Sequence, residues 1–211
     1  MKVLMLNGSP KTNGNTMCAL TEIGEQLKKE GIDYEIFQIG SGPIRDCIGC
    51  GQCSEQGCVF DDDGVNEFIA KLIKADGLVI GTPNYLGDAS AGFRAIYERL
   101  IFQSLTYQKA PHRYDVRKIP VLFIMTSNAP KEFYTPLGYR KTVKAYQNAL
   151  TDAVGNTKVM IAGDTLQVKD YSRFHWTMFD PVAKQKRHET VFPKEQREAF
   201  ELGARMVREA W

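Results

Sequence analysis

Two hydrophobic rhythms alternate along the chain. Short apolar runs are followed by longer stretches in which apolar residues return every three or four positions. The short runs predict strands over Lys2–Asn7, Tyr34–Ile39, Gly77–Gly81, Pro120–Met125 and Lys158–Ala162. The longer ones predict helices over Thr16–Glu30, Val65–Lys74, Ala89–Phe102, Gly138–Val154 and Pro193–Arg208. Leu20, Ile23 and Leu27 keep helical spacing in the first helix, and Gly31 stands where a helix C-terminus favours glycine. Asp62 or Asp63 is placed to cap the second helix. Pro193 opens the last, where a missing N–H costs nothing.

Strands that alternate with helices predict a parallel sheet covered on both faces, with right-handed crossovers. The 211 residues suffice for one such domain over 1–211, and nothing requires a second. A net charge of +2 gives no electrostatic case for a nucleic-acid partner. The densest basic cluster, Lys184, Lys186 and Arg187, reads as a solvated late loop. No apolar run approaches the roughly 20 residues that span a bilayer, and the opening apolar stretch is too short for a signal peptide. These features predict a cytoplasmic chain that does not enter the membrane.

The loops after the strands carry the chemistry. The first strand runs into Gly8-Ser9-Pro10-Lys11-Thr12-Asn13-Gly14-Asn15-Thr16, directly before a helix. Backbone N–H groups and a helix N-terminus there would face an incoming anion, with Ser9, Asn13, Asn15 and Thr16 as added donors. Gly14-Asn15-Thr16 lacks the Gly-Lys-Ser/Thr of a P-loop, and two glycines do not make a dinucleotide fingerprint. The third strand ends in Thr82-Pro83-Asn84-Tyr85-Leu86-Gly87, and the fourth in Thr126-Ser127-Asn128. In a doubly wound sheet of order 2-1-3-4-5, the flavodoxin-like arrangement, these loops gather at the switch point. Backbone groups of the second loop could meet the polar edge of a planar ligand while Tyr85 or Leu86 packs on its face. The hydroxyl and amide groups of the third loop could reach the same ligand.

Four of the five cysteines form the array Cys47, Cys50, Cys53, Cys58, spaced C-x2-C-x2-C-x4-C within a segment spanning 44–60. Gly49, Gly51 and Gly57 let the backbone wrap a small object. Such clustering fits a metal or redox site in a reducing compartment better than a disulfide scaffold. Three readings stay open on spacing alone: an iron–sulfur cluster, a zinc site and metal-free thiols.

The stretch Asn7-Gly8-Ser9-Pro10-Lys11-x-Asn13-Gly14-Asn15-Thr16, together with the Thr82-Pro83-x-Tyr85 loop, resembles the flavodoxin-like NAD(P)H-dependent FMN reductase superfamily. With the cysteine array, and with Asp170-Tyr171, Phe192-Pro193 and Glu201-Leu-Gly-Ala-Arg near the end, the chain resembles its iron–sulfur flavoprotein branch. Ala89-Ser90-Ala91-Gly92-Phe93-Arg94 departs from the pattern, where relatives usually carry a proline and a lysine.

The resemblance implies an FMN-dependent oxidoreductase. It places Ser9, Lys11, Asn13, Gly14, Asn15 and Thr16 on the FMN phosphate. It places Pro83, Asn84, Tyr85, Leu86, Gly87, Ser127 and Asn128 along the flavin. It makes Cys47, Cys50, Cys53 and Cys58 the ligands of one [4Fe–4S] cluster exchanging electrons with FMN. Implied partners are a ferredoxin, NAD(P)H, a quinone or an oxygen species, and implied assembly is a homodimer or homotetramer. A cluster-free NAD(P)H-dependent FMN or quinone reductase is the alternative. No side chain reads as a general base, because the cofactor carries the chemistry.

His112, His175 and His188 are isolated and read as surface or loop residues. Cys18 reads as a small buried hydrophobe. Asp61-Asp62-Asp63 reads as an acidic turn before a helix. Phe174, Trp176 and Phe179 mark an aromatic loop that would cover a flavin or a subunit interface.

Overall fold

A computed structural model describes residues 1–40, 42–53, 57–110 and 117–209. The elements run β1 (Lys2–Asn7), α1 (Asn15–Lys29), β2 (Asp33–Gln38), α2 (Val65–Lys74), β3 (Gly77–Tyr85), β4 (Asp88–Ala89), α3 (Ala91–Gln103), β5 (Val121–Thr126), α4 (Tyr139–Ala153), β6 (Thr157–Ala162), α5 (Pro181–Thr190) and α6 (Phe192–Glu209). Short 3-10 turns add Lys131–Tyr134 and Tyr171–Arg173.

The five long strands pair in parallel in the order β2-β1-β3-β5-β6. They are the five read from the sequence, in the anticipated arrangement. A sixth, two-residue strand is added: β4 turns back antiparallel on the end of β3, pairing Asn84 with Ala89 and Tyr85 with Asp88. The expectation of five strands is corrected accordingly. The cause is that β3 does not stop at Gly81. Beyond the end of β1, Thr82 and Pro83 still pair with Met125 and Thr126 of β5. One side of β3 is open there, a setting in which strands accept proline.

Side-chain alternation divides the core between the two faces. Leu4, Leu6, Leu78, Ile80, Val121, Phe123 and Met125 face the layer of α2, α3 and α4. Val3, Met5, Val79, Leu122 and Ile124 face α1 and α6. The central strands therefore contain unbroken apolar runs, 3–6, 78–80 and 121–125, as two-sided burial requires. On the first face Phe93 meets Phe123 and Tyr146 at ring-centroid distances of 5.8 and 5.6 Å.

The late basic cluster is a second correction. Lys184, Lys186 and Arg187 lie on α5, not in a loop. Lys186 is exposed, but Lys184 is buried and Arg187 nearly so. The local signal was Asp180-Pro181: the Asp180 carboxylate accepts from Val182 N and Ala183 N at 2.9 and 3.1 Å, and Pro181 fills the first helical position. His188 lies on the same helix and stacks on Phe192, with ring centroids 5.2 Å apart. His175 is exposed, and His112 lies outside the described residues. Cys18 is half-buried; burial first, then Glu22, pushes its thiol pKa up. No helix among the described residues is long and apolar enough to cross a membrane.

Candidate functional site

The carboxyl ends of β1, β3 and β5 meet at one edge of the sheet, and side chains fasten their loops together. Asn7 organises the first loop. Its Nδ2 donates to Gln38 Oε1 (2.5 Å) and Lys11 O (3.2 Å), and its Oδ1 accepts from Ser9 N (3.1 Å). Gln38 Nε2 donates to Ser9 O at 2.7 Å. Ser9 Oγ accepts from Lys11 N at 3.1 Å, and its hydroxyl proton remains to be donated. Gln38, absent from the residues read from sequence, is thus a structural member of this loop.

Close backbone approach joins β1 to β3. Gly8 N donates to Gly81 O at 2.7 Å. A Cβ on Gly8 would stand 2.9 Å from that oxygen and 2.9 Å from Phe93 Cβ. A Cβ on Gly81 would stand 2.7 Å from Thr16 Cγ2. Thr16 Oγ1 and Thr126 Oγ1 share a hydrogen bond of 2.8 Å, joining the first turn of α1 to the end of β5. Ser90 caps α3 by accepting from Phe93 N (3.2 Å) and also donates to Gly8 O.

The N-terminus of α1 is left open by this arrangement. Gly14 is its N-cap, with extended backbone, and no side chain among the described residues caps the helix. The polar side chains nearby are engaged in shaping the loop, and Asn15 Nδ2 is turned to Leu166 O at 2.9 Å. The orphan N–H groups of the first turn and the positive helix end can receive a phosphate. Lys11 and Asn13 are exposed beside them, while Ser9 and Thr16 are buried. The donor set fits an FMN phosphate.

The second loop is the turn of the β3–β4 hairpin. Asn84 Oδ1 accepts from Gly87 N (2.8 Å), and Asn84 Nδ2 donates to Tyr134 OH (3.1 Å). Leu86 and Gly87 have left-handed backbones, with φ of 55° and 92°. Tyr85 and Leu86 point to solvent, and Pro83 is half-buried. Burial pushes the Tyr134 pKa up. Ser127 Oγ accepts from Ala129 N (3.1 Å), and Ser127 O accepts from Thr165 N (2.8 Å). Asn128 is held by Lys184, a residue sequence reading set aside.

The cysteine segment lies between β2 and α2, with residues 54–56 outside the described chain. Cys47 and Cys58 are half-buried, and Cys50 and Cys53 are exposed. Gly49, Gly51 and Gly57 all adopt positive φ, at 64°, 68° and 102°. Burial, followed by Cys58, Cys47 and Cys50, raises the pKa of Cys53, so the four sulfurs are electrostatic neighbours. No three His, Cys, Asp or Glu side chains among the described residues stand in metal-holding geometry. A cleft of about 270 Å³ opens beside the segment, bounded by Phe37, Gln38, Arg45 and Asp63.

Asn66 on α2 fixes one end of the segment, accepting from Cys58 N (2.9 Å) and donating to Cys58 O (2.7 Å). Asn66→Ala is expected to cost about 1–3 kcal/mol, because both backbone groups lose a partner. Urea unfolding measures the loss, and faster labelling of Cys58 by a thiol reagent reports the freed loop.

Comparison with known proteins places this site in a family. Residues 1–133 match the NADPH-dependent FMN reductase family, and the chain belongs to it. The match takes in the phosphate-type loop, the cysteine segment, the β3–β4 hairpin and the Ser127–Asn128 loop. Within that class the chain is similar to an iron–sulfur flavoprotein of Methanocaldococcus jannaschii, 37% identical over 47% of this chain and 51% of that protein. It is also similar to one of Archaeoglobus fulgidus, 36% identical over 47% and 48%. The chain spans about half the length of these curated relatives. In fold it is similar to an NAD(P)H:quinone oxidoreductase from Methanothermobacter marburgensis, with TM-score 0.69, 18% identity and 96% of each chain covered.

Proposed function

We propose that the chain is an FMN-dependent oxidoreductase in which FMN exchanges electrons with a [4Fe–4S] cluster held by Cys47, Cys50, Cys53 and Cys58. The observation that carries the FMN reading is the uncapped N-terminus of α1, set where glycines let three strand ends close together. Ser9, Lys11, Asn13, Gly14, Asn15 and Thr16 would hold the phosphate. Pro83, Asn84, Tyr85, Leu86, Gly87, Ser127 and Asn128 would border the isoalloxazine. FMN, when bound, supplies two-electron chemistry, while the chain binds and orients it and excludes water.

The cluster reading is supported by four thiols on one segment jointed by left-handed glycines, and by the names of the similar flavoproteins. The thiols would bind as thiolates. Electron partners in this reading are a ferredoxin, NAD(P)H, a quinone or an oxygen species, and the assembly is a homodimer or homotetramer. Protein purified under strict anaerobiosis is expected to carry about one FMN and about four irons per chain. FMN without iron would overturn the cluster; neither would overturn both.

A second reading, a cluster-free NAD(P)H-dependent FMN or quinone reductase, is favoured by the exposure of Cys50 and Cys53. Iron-free protein whose flavin is bleached anaerobically by NAD(P)H would establish it.

A further inference from the structure

Lys184 has an environment that its place on a surface helix does not require. Its side chain is 8% exposed. Nζ lies 3.0 Å from Asn128 O and 2.7 Å from Asn128 Oδ1, and it contacts Asp164 Oδ1. The Phe179 ring covers it, with the centroid 5.5 Å away. Asp164 adopts a left-handed backbone, φ 53°, a position that ordinarily favours glycine. Its second oxygen faces Arg187 Nε at 3.4 Å. Arg187 bonds Glu195 at 2.9 Å, and Lys131 approaches the same carboxylate at 3.3 Å. The cations of Lys131, Lys184 and Arg187 thus face the carboxylates of Asp164 and Glu195, leaving one positive charge in excess.

The chemistry of this contact fixes the orientation of Asn128. An ammonium group only donates, so the amide must turn its oxygen toward Lys184. What Asn128 then presents elsewhere is its NH2, which has no protein partner among the described residues. Asn128 is half-buried just past the end of β5, beside Ser127. The result is a hydrogen-bond donor held in one orientation, with a buried cation behind it.

We propose that Lys184 is a positioning residue for the flavin, acting through Asn128 to favour reduced over oxidised FMN. This rests on the reading that Ser127–Asn128 border the isoalloxazine. The pyrimidine edge of FMN offers acceptors. When FMN takes up two electrons and one proton at N5, negative charge accumulates on the N1 and C2 carbonyl side. A fixed donor backed by a cation binds that charge more tightly than the neutral oxidised edge. Lys184 lies beyond the residues that match the family, whereas Asn128 lies within them.

The test uses the FMN-loaded protein, titrated with dithionite as electron source and mediator dyes. Lys184→Met is expected to leave oxidised-FMN affinity within about threefold. It should weaken binding of reduced FMN about tenfold, lowering the two-electron potential by about 30 mV. Asn128→Ala should give the same shift, the double variant no more, and Lys184→Arg should restore most of it. A folded, FMN-loaded Lys184→Met with unmoved potential overturns the proposal. So does a shift in Lys184→Met that Asn128→Ala does not reproduce. If Lys184→Met does not fold, Asn128→Ala decides, and an unmoved potential overturns the proposal. Wild-type protein that binds no FMN would instead sink the underlying cofactor reading.

Discussion

Asp63→Asn is expected to lower the free energy of unfolding by about 3–5 kcal/mol, the usual effect of stripping one partner from a buried ion pair. Asp63 and Arg99 side chains are 2% and 1% exposed. The carboxylate binds the Arg99 guanidinium and accepts from Arg45 N (3.0 Å) and Val65 N (3.1 Å). Arg99 Nη2 donates to Phe60 O at 2.6 Å, and its Nε is buried without a partner among the described residues. An asparagine has one acceptor oxygen: set where Oδ2 stands it keeps Arg45 N and Arg99 but turns an NH2 against Val65 N–H, and the cation is left uncompensated. Because Arg99 belongs to α3 and Arg45 and Phe60 to the cysteine segment, the variant should also loosen that segment.

The same pair has a pH signature. Burial alone would raise the Asp63 pKa, but the two backbone N–H groups and Arg99 outweigh it and hold the carboxyl below its usual value. The pair's contribution is therefore complete above the unfolded aspartate pKa of about 3.9 and is lost as pH falls through the lower folded value. Urea midpoints of the wild type should drop below about pH 4 with a component that Asp63→Asn lacks. Parallel curves for the two proteins would refute the assignment.

The sheet was legible because its strands are buried on both faces and its helices on one, so period and apolar run length carry the same message. Lys2–Asn7 and Val65–Lys74 match the observed bounds. The end of β3 was hidden because Thr82-Pro83-Asn84-Tyr85 has the composition of a loop, and only pairing, of Thr82 and Pro83 with β5 and of Asn84 and Tyr85 with β4, makes it strand. The open phosphate-type loop could be read from its small and hydroxyl residues. The hydrogen-bond economy around the site could not: Gln38 reaches this loop, and Lys184 with Asp164 the Asn128 loop, from distant segments, and no local pattern announces such contacts. Lys184 looked like a solvated charge because a lysine's burial is decided by what packs over it, here Phe179 and the loop after β6. Asp61-Asp62-Asp63 was read as a turn before a helix. The N-cap of α2 is Gly64, not Asp62 or Asp63, although Asp63 accepts from Val65 N at the helix start; the role of Asp63 as counterion to Arg99, 36 residues away, needed the fold.

Gly14→Asp should separate stability from cofactor binding by moving them in opposite directions. Gly14 occupies the N-cap of α1 with φ −89° and ψ 177°, a conformation open to any residue. A Cβ there meets Lys11 Cβ at 3.4 Å and Lys11 Cδ at 3.7 Å, ordinary contacts. An aspartate can cap the free N–H groups, complement the helix dipole and narrow the unfolded ensemble. Together these should raise the stability of the FMN-free protein by about 1 kcal/mol, or its Tm by about 2–4 °C. The same carboxylate would occupy the place offered to the FMN phosphate and repel it. A charge pair about 4 Å apart near a surface interacts by about 4 kcal/mol, so FMN should bind at least about 100-fold more weakly. Riboflavin lacks the phosphate, and its affinity should stay within about threefold of the wild type. Fluorescence titration with both flavins, beside thermal melts of flavin-free protein, checks all three values. Unchanged FMN affinity in a stabilised variant would mean that the phosphate binds elsewhere than the first turn of α1.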